Sequence, residues 1–234
     1  MGCIHNRFNK SVIIIIVTFA SSDKRINIPE ESSNIMNEPD SRTPREILSK
    51  FYSDNNLPSD GGQSSGCVEI KLSRNFRLYF PNFNARRKAV LKHDIHHLLT
   101  GYDTTVSGES EISAWEIASG CKNYWAAFLL DTSGFMLGFL VNYFGILKAF
   151  ARGRRTKNLY YDMFSNEQAL DMQVCELRNQ LLLDKYTKNT KPTFTDFIQF
   201  SLLTAFGILF SILSWVLIPY IIVYTIYIML NVKS

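Results

Sequence analysis

NARRKAVLKHDIHHLLTG, residues 84–101, decides the reading of this chain, being both its clearest helix and its densest cluster of metal-ligating side chains. Asn84 suits a helix start, and Gly101 suits the left-handed position that ends one. Leu91, Ile95 and Leu98 form an apolar face, so one side of the helix is expected in a core. At about 100° per residue, His93 and His97 lie roughly 40° apart, Asp94 sits at the edge of the same arc, and His96 falls on the other side of His93. Eleven residues separate His97 from Glu109, enough chain to turn back and set a carboxylate opposite the imidazoles. His93, His97 and Glu109, with Asp94 as a fourth ligand or a supporting partner, suit zinc, iron or manganese. Two other readings stand beside this one. Histidines four apart are often a hydrogen-bonded surface pair, and zinc peptidases place a general-base glutamate right after the first helical histidine, where this chain has the shorter Asp94.

Outward from this helix the chain reads as mainly α, a helical metal-binding domain over residues 67–184 followed by a transmembrane segment or hairpin at 194–232. Residues 124–150 are apolar but interrupted by Asp131, Gly134 and Gly138, which predicts two helices, about 111–130 and 135–150. Their leucines and aromatics can line an isoprenoid pocket, dip into a bilayer surface, or simply pack as core. Lys148, Arg152, Arg154, Arg155 and Lys157 then form a basic cluster suited to lipid headgroups or a phosphate, or to a solvated face. Glu111 and Glu116, placed on the helix after Glu109, read as proton-transfer or supporting groups, or as ordinary solvated carboxylates.

Residues 197–232 contain no charged side chain. About 20 residues cross a bilayer, so one tilted span kinked at Pro219 and a hairpin turning there are the two readings. Lys185, Lys188 and Lys191 precede the run and Lys233 follows it, which puts the metal domain on the cytoplasmic side of an inner or cytoplasmic membrane. The N-terminus conflicts with this placement. Arg7 and Lys10 precede an apolar core at 12–20 and small residues, the outline of a secretory signal or apolar anchor over 1–22. Met1-Gly2-Cys3 lacks the Ser or Thr that myristoylation wants at position six, where Asn6 stands. Residues 23–66 read as a linker with one short helix beginning at Thr43 and Pro44, and alternation from Val68 to Leu72 reads as a strand. Cys3, Cys67, Cys121 and Cys175 are too dispersed for a zinc knuckle or redox pair. The 234 residues are 46% hydrophobic, enough for a sizeable core, and the net charge of +4 is modest, so with no nucleic-acid motif a nucleic-acid partner is not expected.

The string HDIHHLLTGYDTTVSGESEISAWEIASG resembles the signature of the coenzyme Q biosynthesis protein 4 family, H-D-x-x-H followed by eleven residues and E. Residues 151–160 and 176–181 also look like that family's C-terminal portion, so the likeness covers roughly 40–184. It implies that His93, Asp94, His97 and Glu109 hold a metal ion in a mostly helical domain. It further implies that the domain acts on a polyprenylated 4-hydroxybenzoate-type precursor, replacing the ring C1 carboxylate by hydroxyl. The implied partners are membrane lipid, the prenylated quinone precursor and other quinone-biosynthesis proteins, and pairing into a homodimer is compatible with this. A scaffold binding prenylated lipid and pathway enzymes is the alternative role, and a membrane metal hydrolase the third. The uncharged tail departs from the family pattern, whose membrane contact is usually peripheral. No G-x-G-x-x-G is present to hold a flavin or nicotinamide.

Overall fold

The computed structural model describes residues 41–54, 67–71 and 77–231, so the expected signal at 1–22, most of the linker and Leu72 lie outside the described residues. Within them the protein is mainly α. The order is α1 (Pro44–Asp54), β1 (Cys67–Lys71), β2 (Arg77–Pro81), α2 (Asn84–Thr100), α3 (Val106–Ser119), α4 (Trp125–Val141), α5 (Tyr143–Gly153), a 3-10 turn (Leu159–Tyr161), α6 (Asn166–Asp171), α7 (Val174–Gln180) and α8 (Phe194–Asn231). The expected strand exists and pairs antiparallel with β2, Cys67 opposite Pro81 and Lys71 opposite Arg77.

Helix α1 starts where Thr43 and Pro44 predict. The Thr43 hydroxyl accepts the Glu46 N–H at 3.3 Å and the Glu46 carboxylate accepts the Thr43 N–H at 2.9 Å, a reciprocal cap that satisfies two otherwise orphan donors. Leu48 and Tyr52, one turn apart, are buried.

Helix α2 begins one residue differently from expectation. Phe83 is the cap, with no side-chain hydrogen bond, and Asn84 is already helical, its side-chain oxygen accepting from Arg87. Its far end is as expected, with Gly101 left-handed at φ 73° and donating its N–H to the His97 carbonyl. Three cations bind the last carbonyls. Arg178 donates to Leu99, Arg152 to Thr100 at 3.0 Å, and Lys188 to Gly101. They satisfy acceptors that a helix end leaves unpaired and offset its negative pole.

The predicted pair of helices is in fact three, with breaks at Gly120 and Asn142 rather than near Gly134. Gly134 and Gly138 lie inside α4 because they permit close packing. A β-carbon on Gly134 would stand 2.3 Å from Ser113 Oγ, and one on Gly138 would stand 2.5 Å from Ile146 and 2.6 Å from the Ser110 Cβ. Glycine thus lets α4 approach α3 and α5. Asn142 makes the real corner, its side chain accepting the Gly145 N–H at 3.1 Å and donating to Glu111 at 2.9 Å.

The central core gathers Ile95 and Leu99 from α2, Ile112 and Trp115 from α3, Phe135 from α4, Ile146 from α5, Leu177 from α7 and Phe200 from α8. Helix α8 is continuous through Pro219, so the hairpin is not formed. A proline removes one hydrogen bond without ending a helix, and its neighbours Ile218 and Tyr220 offer no turn-forming residue. The stretch Phe194–Leu213 is long and apolar enough to cross a membrane. One stripe of it packs on the domain, with Phe200 against the Phe135, Tyr143 and Phe150 rings at 5.2, 5.5 and 5.7 Å.

The basic cluster is largely internal. Arg152 is buried, its Nε donating to the Tyr186 carbonyl at 2.8 Å. Arg154 and Arg155 clamp the buried Asp196 at the start of α8 at 2.5 and 2.7 Å. Only Lys148 and Lys157 are exposed, because the other three cations are consumed by carbonyls and by Asp196.

Candidate metal centre

Two neighbouring helices build the centre. Helix α2 carries His93 and His97 one turn apart, and α3 carries Glu109 in its first turn, starting from Thr105, whose hydroxyl accepts the Gly108 N–H. Glu109 therefore lies on the helix with Glu111 and Glu116, not ahead of it. His93 and His97 bring their Nε2 atoms to 3.1 Å, and the Glu109 oxygens stand 3.6 Å from His93 Nε2 and 3.4 Å from His97 Nε2. Ligands held about 2.0–2.1 Å from a tetrahedral ion stand roughly 3.3 Å apart, which these separations match.

The ring protons settle where the lone pairs point. His97 Nδ1 donates to the Tyr102 carbonyl at 2.9 Å, and His93 Nδ1 donates to Glu116 at 3.0 Å. Both imidazoles therefore turn an Nε2 lone pair toward the same point. Opposite them, both Glu109 oxygens are buried without a hydrogen-bond partner. A buried carboxylate without hydrogen bonds is costly, and a cation among these atoms offsets that cost. A proton competes for the same place. Burial would lower the pKa of His93, but Glu116 and Glu109 overcome it and raise it well above the ordinary histidine value. Burial pushes Glu109 up, yet His97 and His93 prevail and hold it down to about 2.

His93, Glu116 and Asp131 form a second group that could hold an ion. Its atoms, unlike those of Glu109, are already engaged. Glu116 Oε1 accepts from His93 and from His96 Nδ1, the latter at 2.6 Å, and Oε2 accepts the Tyr160 hydroxyl at 3.0 Å. Burial and the Glu116 charge push Asp131 well above the usual carboxylate range, and its carboxyl accepts from the Cys121 thiol at 3.6 Å. The first group is the better fit to an ion.

Of the four residues expected to ligate, the structure brings together His93, His97 and Glu109. Asp94 stands apart from this set, its carboxylate accepting the Tyr52 hydroxyl at 2.6 Å. The helix turns it about 100° from His93, toward α1. Glu111 is held by Asn142 rather than facing the centre. Glu116, read as a solvated carboxylate or a supporting group, is fully buried in contact with two histidines. Its spacing carried the signal, because seven residues are nearly two turns, placing Glu116 within roughly 20° of Glu109 on α3. His96 is buried against Trp115 and Tyr160 at 5.1 and 5.0 Å and turned away from the ion position.

No protein-family model, curated protein or solved structure matches this chain.

Proposed function

We propose that this protein is a metal-dependent enzyme of ubiquinone biosynthesis that removes the C1 carboxylate of a polyprenylated 4-hydroxybenzoate-type precursor and installs a hydroxyl in its place. The observation that carries the reading is the pair of buried Glu109 oxygens, free of hydrogen bonds, 3.4 and 3.6 Å from the two Nε2 atoms, in a sequence string that resembles the coenzyme Q biosynthesis protein 4 signature. His93, His97 and Glu109 hold a divalent ion, with Asp94 at the edge of the site. Two histidines and one carboxylate leave coordination positions for a substrate phenol or carboxylate, and the same donor trio is the one non-haem iron uses. The exchange of carboxylate for hydroxyl is a two-electron oxidation that needs an oxidant such as dioxygen, which favours iron or manganese over zinc. The bound ion supplies Lewis acidity toward the substrate oxygens.

The apolar α8, whose stretch Phe194–Leu213 is long enough to span a bilayer, and the exposed Trp125, Leu140, Val141 and Phe144 of α4 and α5 support a membrane location, where a prenylated acid partitions. Lys185, Lys188 and Lys191 on the domain side of that helix support a cytoplasmic face for the centre.

The test supplies a prenylated 4-hydroxybenzoate-type acid and dioxygen to purified, iron- or manganese-loaded protein. Released CO2 together with a new ring hydroxyl, both lost in His97→Ala, supports the reading. Turnover equal to that of the His97→Ala variant refutes it. One observation favours a second reading, a non-catalytic scaffold that binds prenylated lipid and pathway enzymes. The three candidate ligands are only 5–8% exposed, as suits a structural ion. Restoration of quinone synthesis in a deficient strain by a metal-free variant would decide for the scaffold.

A further inference from the structure

We propose that Glu116 is a positioning residue of the metal centre, a carboxylate that never touches the ion but locks the His93 ring so that its Nε2 lone pair faces it. The inference rests on the metal-binding reading above and adds a residue to it.

His96 Nε2 accepts the Leu159 backbone N–H at 2.9 Å, so the His96 proton must sit on Nδ1. That Nδ1 donates to Glu116 Oε1 at 2.6 Å. The same oxygen receives the His93 Nδ1 contact at 3.0 Å, while Tyr160 donates its hydroxyl to the other oxygen at 3.0 Å. An oxygen already taking the His96 N–H has only acceptor capacity to offer His93, so His93 must present a proton on Nδ1.

Glu116 is itself held on every side. It is completely buried, and Asn158, the residue before the 3-10 turn, donates to Ser119 and Gly120 at 2.8 and 3.1 Å, tying the end of α3 to that turn. Lys92, also buried, donates to the Leu159 carbonyl at 3.1 Å and so fastens the 3-10 turn that supplies both the Leu159 N–H and Tyr160. His96 therefore acts as a strut between that turn and Glu116. The two ligands are anchored unequally, His97 by the neutral Tyr102 carbonyl and His93 by a full carboxylate. A carboxylate behind a ligating histidine orients the ring and strengthens it as a donor. Substituting Glu116 should thus change the ion's affinity and electronic environment together.

The test uses cobalt(II) as probe on the full-length chain, comparing wild type, Glu116→Gln and Leu181→Ala, the last a buried core truncation at the end of α7. Glutamine keeps the shape but removes the charge. Loss of an outer carboxylate partner costs about 10–100-fold in ion affinity, so Glu116→Gln should bind cobalt that much more weakly, reach the same stoichiometry at saturation, and show a shifted visible cobalt band. Leu181→Ala should lower thermal stability without moving the band. Tyr160→Phe, which removes only the contact to Oε2, gives a smaller shift of the same sign and serves if Glu116→Gln does not fold. Wild-type affinity and an unmoved band in the foldable variant would overturn the proposal. So would an affinity loss that Leu181→Ala reproduces at equal loss of stability. Wild-type protein that binds no cobalt would instead sink the metal-binding reading itself.

Discussion

Replacing Glu109 by glutamine tests whether the orphaned carboxylate exists to hold an ion. The side chain keeps its length and loses its charge, leaving two imidazoles opposite an amide. If the wild-type protein is loaded at an ion concentration about 100 times its dissociation constant, binding adds roughly 2.7 kcal/mol to folding stability. A domain of about 150 residues moves its melting temperature by approximately 2–4 °C per kcal/mol, so the ion should raise the wild-type Tm by about 5–11 °C. Glu109 is one of only three side chains in the group, its oxygens 3.4 and 3.6 Å from the two Nε2 atoms. If its loss weakens binding about 100-fold, the same ion concentration adds only roughly 0.4 kcal/mol, about 1–2 °C. The assay is differential scanning calorimetry of both proteins with chelator and with added ion. A wild-type melt indifferent to chelator and ion, or a Glu109→Gln variant with the full rise, would refute the reasoning.

Ion affinity should depend on pH in a defined direction. Burial lowers the His93 pKa, but Glu116 and Glu109 raise it well above its ordinary value, so an ion must displace a proton below that raised value. Apparent affinity should fall about tenfold per pH unit there, one proton released per ion in titration calorimetry at several pH values, and a flat profile would contradict it. In chelated protein the sign reverses, since the raised His93 stabilises the fold fully below its unfolded value of about 6.5 and loses that contribution as pH climbs through the folded one. Gly138→Ala should destabilise the three-helix junction, because its new β-carbon meets Ile146 on α5 and Ser110 on α3 at 2.5 and 2.6 Å. Overpacking costs about 1–3 kcal/mol, more than the ~1 kcal/mol that alanine gains over glycine in a helix, so the urea midpoint should drop.

Spacing made the α2 site legible. His93 and His97 share a face because four residues nearly complete a turn, and Glu109 was the carboxylate with chain enough to reach them. Composition likewise foretold the apolar α8. Gly134 and Gly138 misled because a glycine reads as a break when its neighbours are unknown, whereas here it is the space that another helix fills. The basic run at 152–155 misled for a related reason. A charge looks solvated until its acceptors are seen, and these were the Thr100 and Tyr186 carbonyls and Asp196, 34 to 52 residues away in sequence.

By itself the sequence determined the helical class, the α2 ligand face and the uncharged tail, all of which depend on local periodicity and composition. The tertiary structure alone decided that Glu109 meets both histidines, that Asp94 turns to Tyr52, and that Glu116 backs His93 from inside the core. Those are contacts between helices, and the direction in which a ligand's lone pair points depends on the partner that accepts the proton on the other side of its ring.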